Sequence, residues 1–233
     1  MTAPTSHPLT RGLTQATPII AGYVPVAIAF GVIAGQAGLS PWLAATISVL
    51  VYSGAAQFLM IGLIGSGASP WFAALLALSV NLRHLVYGPA IAHYLPKSPW
   101  LIGLGHLLTD EAFALASARL GQHPPADRLG WLAGALITAW ASWVGGTLIG
   151  ALGGHWLTQK LPMIGEILPF ALPALFVTLL LPRMQSIPWR LAVVASVVAG
   201  AVFALMGWPN AGIVLAALVG AAMFILCDWK GAA

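Results

Sequence analysis

Charge is what this chain of 233 residues has least of: nine Lys and Arg and five Asp and Glu amount to 6% of the sequence, against 60% hydrophobic residues. So little charge excludes a soluble globule, in which about a quarter of residues are charged. A single cysteine, Cys227, excludes an internal disulfide and any metal site built from several thiolates. No His-Glu-x-x-His pair, no Gly-x-Ser-x-Gly elbow and no phosphate-cradling glycine loop occurs. The commonest signatures of zinc hydrolases, serine hydrolases and nucleotide-binding proteins are therefore missing. The net charge of +4 does not point to nucleic acid, because the basic residues are scattered singly between apolar runs without forming a stripe. Lys and Arg placed that way suit the headgroups of membrane lipid.

What the chain has instead is long apolar segments, near or above the roughly 20 residues that a helix needs to cross the hydrocarbon. The fold class is all-α: a polytopic integral membrane protein. Segments at 17–39, 42–65, 71–93, 100–118, 129–152, 164–181, 190–207 and 210–227 predict about eight transmembrane helices in one domain, residues 17–228. Residues 1–16, rich in Thr, Pro and Ser, read as an unstructured tail, and 229–233 as a C-terminal one. Trp42, Trp71, Trp100, Trp131, Trp189, Trp208 and Trp229 fall near segment ends, where an indole prefers the interface, while Trp140 and Trp143 lie mid-segment. With eight spans, Arg11, Arg119, Arg128, Arg183, Arg190 and Lys230 share one side and Lys97 and Lys160 the other, which puts both termini in the cytoplasm.

Ionisable groups inside apolar segments are costly, so they are default candidates for function. Asn81, Arg83, His84 and Tyr87 share the third segment, and His106, Thr109, Asp110 and Glu111 the fourth. On continuous helices each set would spread over an arc facing the interior, and counting 1.5 Å per residue from Trp71 and Trp100 places Arg83 and Asp110 at similar depth. The first segment carries Pro18, Gly22 and Pro25 and the sixth Pro169 and Pro173. Both are expected to be interrupted, in the manner of an inverted repeat around a transport site. A stripe of Gly146, Gly150 and Gly154, with Gly130 and Gly134 before it, offers the fifth segment a face for close helix contact.

The segments YVPVAIAFG (23–31), VYSGAAQF (51–58), NLRHLVYGP (81–89), LLTDEAFAL (107–115), WASWVGGTLIG (140–150) and LPFALPALF (168–176) resemble the AzlC family. These are large subunits of two-component exporters of branched-chain amino acids. The resemblance implies a small AzlD-type membrane subunit as partner, valine, leucine, isoleucine or methionine as substrate, and the bacterial inner membrane as location. The combined expectation is a secondary active exporter, not an enzyme, driven by protons and needing no cofactor or metal. A channel or helix-packing scaffold lined by the same polar centre is the rival. Tyr23, Gln57, Asn81, Arg83, Phe170 and Trp143 are the candidate substrate-binding residues. Asp110, Glu111, His84 and His106 are the candidates for proton coupling.

The orientation is checked by placing cysteines at Thr5 and Gly231 in a background lacking Cys227. Both should resist an impermeant thiol reagent in intact cells, and labelling of either from outside would reverse the assignment.

Overall fold

The computed structural model describes residues 6–161 and 183–231, together with positions 163, 167, 170, 174, 177, 180 and 181. Every regular element among these residues is helical. They fall into two compact units, one within Met1–Leu172 and the other within Pro173–Ala233.

The first unit holds α1 (Pro8–Gln15), α2 (Thr17–Gln36), α3 (Pro41–Leu50), α4 (Gly54–Gly65), α5 (Pro70–Asn81), α6 (His84–Ala92), α7 (Trp100–His106), α8 (Asp110–Arg119) and α9 (Arg128–Lys160). The second is a pair, α10 (Ile187–Leu205) packed on α11 (Pro209–Gly231). Five helical stretches among the described residues are long and apolar enough to cross a membrane: Thr17–Gln36, Pro70–Ala92, Arg128–Gly154, Ile187–Leu205 and Ala211–Asp228. Of the other expected segments, the second and fourth are each two shorter helices, and most of the sixth, with Pro169 and Pro173, lies outside the described residues.

Several starts are written in the sequence as Ser-Pro. Ser40 and Ser69 accept the Leu43 and Phe72 N–H groups, each at 3.2 Å, and Pro41 and Pro70 occupy a first turn in which no amide donor is needed. Pro18 sits in the same position in α2, so it starts that helix and does not break it. Pro25 lies inside α2, which runs on uninterrupted, so the break expected in the first segment is absent. Loss of one backbone donor is tolerated here because Pro25 lies on an exposed face of α2 while the opposite face is packed on α9.

The breaks fall instead in the second, third and fourth segments. Between α3 and α4, Tyr52 takes φ +32° although it is not glycine, a conformation costing about 1–3 kcal/mol that surrounding packing must hold. Between α5 and α6 the ladder tightens, with Leu85 and Val86 donating to Leu82 and Arg83 at 3.1 Å each. Three residues on, Pro89 removes a further bond, the one to Leu85. Between α7 and α8, Leu107 and Leu108 close i→i−3 bonds and Thr109 starts a fresh helix, its hydroxyl accepting the Ala112 N–H at 3.3 Å.

α9 is the long strut on which α1, α2 and α3 all pack. Its glycine stripe lies against α2: a Cβ on Gly150 would stand 2.1 Å from the Ile28 carbonyl oxygen, and one on Gly31 would stand 2.1 Å from that of Thr147. The contact is backbone on backbone and internal to the unit. Ser48 and Thr147 pair their hydroxyls at 2.8 Å beside it, tying α3 to the same stretch.

The N-terminal segment expected to be unstructured forms α1 over residues 8–15. His7 caps it, accepting the Leu9 N–H at 3.4 Å, and Arg11 pairs with Asp127 ahead of α9 at 2.5 Å. Its face is set by Gly12, where a Cβ would fall 2.0 Å from the Trp131 carbonyl. The Thr, Pro and Ser composition hid this helix, because what holds it is a partner more than 100 residues away. α1 also removes Trp131 from the interfacial set: that ring is fully buried, donates to Gln15 Oε1 at 3.1 Å and packs on His123, centroids 4.8 Å apart. Burial, aided by the nearby Arg11 charge, holds the His123 pKa below its ordinary value.

Gly150→Ala should lower the melting temperature of the purified protein, by an overpacking cost of about 1–3 kcal/mol or more. Gly145→Ala, where a Cβ meets nothing within 4 Å, should leave it unchanged or raise it. Equal effects at the two positions would refute the backbone contact.

Candidate functional site

The three breaks and the middle of α2 and α9 converge. Where α3 ends, the Ile47 carbonyl still holds the Val51 N–H at 2.8 Å, and side chains from elsewhere add donors to it and to Val49. Gln57 Nε2 donates to the Ile47 carbonyl at 3.3 Å, and Trp140 Nε1 to that of Val49 at 3.5 Å. His106 Nε2 lies 3.3 Å from the same Val49 oxygen, and because a carbonyl can only accept, that nitrogen carries the hydrogen. Gln57 is fully buried and takes the Trp143 Nε1–H at 3.0 Å. The Trp143 ring covers Gly54, where a Cβ would approach Cη2 to 2.8 Å. Gln57 and Trp143 thus satisfy one another and brace the first turn of α4 against α9.

Next to this brace lies a sealed hydroxyl cluster. Tyr23 on α2 packs edge-on to Trp143, centroids 5.2 Å apart, and to Tyr52, 6.5 Å apart. Its hydroxyl donates to Glu111 Oε2 at 2.7 Å and meets the Thr109 hydroxyl at 2.5 Å. Tyr23 and Thr109 are each only 7% exposed. The hydroxyls of Tyr52 and Ser53 are buried with no hydrogen-bond partner.

The ion pair lies beside it and is more open. Arg83 Nη1 stands 2.9 Å from Asp110 Oδ2, with 37% and 28% of the two side chains exposed. It joins the α5–α6 break to the first turn of α8, as the depth arithmetic expects. The Tyr87 hydroxyl donates to the other oxygen, Asp110 Oδ1, and the Tyr87 ring stacks on Phe113 at 4.5 Å. His84, 5.5 Å from the Tyr87 ring, keeps Nε2 buried without a partner, as does Asn81 at Oδ1. Both carboxylates occupy the N-terminal turn of α8, where the helix dipole favours negative charge.

Of the residues expected from sequence, Tyr23, Arg83, His84, Asp110 and Glu111 gather here, Asn81 ends α5 two residues before Arg83, and Gln57, Trp143 and His106 serve the α3–α4 break. Phe170 is 68% exposed. The expectation that Asn81, Arg83, His84 and Tyr87 spread over one uninterrupted helix fails at Leu82–Arg83, which instead presents Arg83 at a junction. Thr109, Tyr52 and Ser53 were not among the expected substrate or proton residues. Thr109 could have been: Thr followed by Asp and Glu is a helix-start signature, and it lies in the middle of an apolar segment. Among the described residues no three His, Cys, Asp or Glu side chains gather as a metal site.

Interrupted membrane helices around a charged pair and unpartnered polar atoms define a polytopic membrane protein with a polar site inside its helical unit. The chain belongs to the AzlC family, whose description, AzlC protein, matches residues 18–157 and so takes in the whole site. The inner membrane protein YgaZ of Escherichia coli is 37% identical, over 99% of this chain and 95% of that one. An uncharacterized membrane protein of Archaeoglobus fulgidus is 35% identical over 95% of this chain and 94% of its own. The branched-chain amino acid transport protein AzlC of Bacillus subtilis is 26% identical over 71% and 64%. No solved structure matches.

Arg83→Ala and Asp110→Ala should each reduce the yield of folded protein, since each leaves a lone charge in apolar surroundings. The double exchange Arg83→Asp with Asp110→Arg should restore yield on size-exclusion chromatography. No loss in either single variant would remove the pair from the architecture.

Proposed function

We propose that the chain is the large subunit of a secondary active exporter of neutral, mainly branched-chain amino acids, driven by protons and working with a small AzlD-type membrane subunit. It acts as a transporter, not an enzyme, and both its termini lie in the cytoplasm. The observation that carries this reading is the partly open Arg83–Asp110 pair at the junction of two broken spans, with Asn81 Oδ1 and His84 Nε2 unpartnered close by in sequence. A zwitterionic amino acid brings a carboxylate and an ammonium on neighbouring atoms. Arg83 suits the first and Asp110 the second, so the pair can exchange its internal contact for the substrate's two charges at little electrostatic cost. Asn81 supplies an acceptor for the ammonium. The aromatic lining from Tyr87 and Phe113 suits an apolar side chain. Family membership and the transport name borne by the Bacillus relative support the same substrate class.

Breaks in the middle of spans are the natural hinges for alternating exposure of such a site, because a few backbone bonds there can change without disturbing the α2–α9 contact. Asp110 or Glu111 would carry the coupling proton, with His84 and His106 as alternative carriers.

The test is uptake of labelled valine, isoleucine, methionine and an unrelated polar amino acid into inverted vesicles, with and without an inwardly acid gradient. The chain is expressed alone and with the small membrane protein encoded beside it. The expected result is gradient-dependent, saturable uptake of the apolar amino acids that requires both proteins. Full activity from the chain alone would exclude the partner, and uptake without saturation or counterflow would favour a channel.

A further inference from the structure

Two consecutive carboxylates enter the site and meet opposite surroundings. Asp110 is neutralised by Arg83 and takes a hydrogen from Tyr87. Glu111 makes no ion pair among the described residues, and its Oε2 accepts only the Tyr23 hydroxyl. A proton placed on Asp110 would strand the Arg83 guanidinium, whereas one placed on Glu111 leaves no cation behind. The other titratable or charged groups in reach of Glu111 are Tyr23 on α2, Tyr52 between α3 and α4, Tyr87 on α6 and Asp110 on its own helix. Arg83 pairs with Asp110, and His84 lies within electrostatic reach of both and of His106. α9 has no titratable side chain between Leu129 and Gly154.

We propose that Glu111 alone takes up and releases the coupling proton, and that Tyr23 and Thr109 transmit its state to the start of α8. The proposal rests on the proton-coupled reading above and assigns its proton to one of two neighbouring acids. Asp110 then stays ionised throughout, facing Arg83 when the site is empty and the substrate's ammonium when it is filled.

The hydrogen bonds supply the transmission. With Glu111 ionised, its oxygens can only accept, so Tyr23 donates to Oε2 and the Tyr23 oxygen takes the Thr109 hydroxyl hydrogen. Thr109 Oγ1 in turn accepts the Ala112 N–H and caps α8. Every hydrogen in the chain of groups is used. When Glu111 gains a proton it becomes a donor to the Tyr23 oxygen. The Tyr23 hydrogen then turns to Thr109 Oγ1, and the Thr109 hydrogen loses its acceptor. The only bond formed is O–H on Glu111, and the two hydroxyl hydrogens merely rotate about their C–O bonds. A buried orphan hydroxyl is thereby delivered to the residue that caps α8, which loosens the α7–α8 junction when the proton is on and tightens it when the proton is off. Tyr23 and Thr109 are positioning residues in this scheme, since neither keeps the proton.

Infrared difference spectra between neutral and acid pH, on the full-length protein in lipid nanodiscs, test the assignment without relying on transport. A carboxylic acid C=O component should be present in the wild type, absent in Glu111→Gln, retained in Asp110→Asn and shifted in Tyr23→Phe. In vesicles carrying the chain with its small partner, Glu111→Gln should keep exchange of labelled for unlabelled valine and lose accumulation driven by the pH gradient. Tyr23→Phe should displace the pH profile of accumulation, which a packing defect alone would not. Persistence of the full infrared component in Glu111→Gln, or wild-type accumulation by that variant, would overturn the proposal. If the wild type moves no valine, the transport reading fails, and the infrared comparison still decides which acid takes the proton.

Discussion

The contact on which this architecture depends is the approach of α2 to α9 at backbone distance. In a membrane the hydrophobic effect does not drive helices together, so close packing and hydrogen bonding must. Gly31 and Gly150 provide that packing reciprocally, each accepting the carbonyl of the other helix where any side chain would collide. Tyr23 and Trp143 lie one to two turns from this crossing, and their ring contact is a consequence of it. Once those two side chains are held, the remaining polar groups have fixed surfaces to meet.

Rigid helices alone would give no site. The second, third and fourth segments are each cut near the middle, and every cut creates backbone groups that apolar surroundings cannot solvate. Part of that demand is met locally by i→i−3 bonds. The rest is met by Trp140 and His106 at the end of α3 and by Thr109 at the start of α8. The polar residues of these segments therefore do two jobs. Some repair the interrupted backbone, and Arg83, Asp110 and Glu111 present charge at the junctions so created.

Much of this was legible in the sequence. Intramembrane charges are so costly that Arg83, Asp110 and Glu111 mark the site by their presence, and depth arithmetic suffices to pair the first two. The glycine stripe on α9 likewise states its purpose in its spacing. In the first segment proline misleads as a sign of a break. Pro18 starts a helix and Pro25 is absorbed within one, while the observed cuts follow Tyr52 in a left-handed conformation, a tightened turn before Pro89 and a threonine cap. α1 was hidden for a different reason: its composition carries no stability of its own, and its fold is a property of the surface beneath it.

That surface has a consequence for the order of assembly. The ribosome delivers α1 well before α9, since Asp127 and Trp131, the residues that hold it, follow more than 100 residues later. Until then Arg11 has no counter-charge and Gly12 no groove, and α2 waits for the same strut. The N-terminal unit can therefore close only after α9 has emerged. The helices made before α9 must be kept together in the bilayer, unlatched, through most of translation, and α1 is a fastener threaded early and drawn tight late.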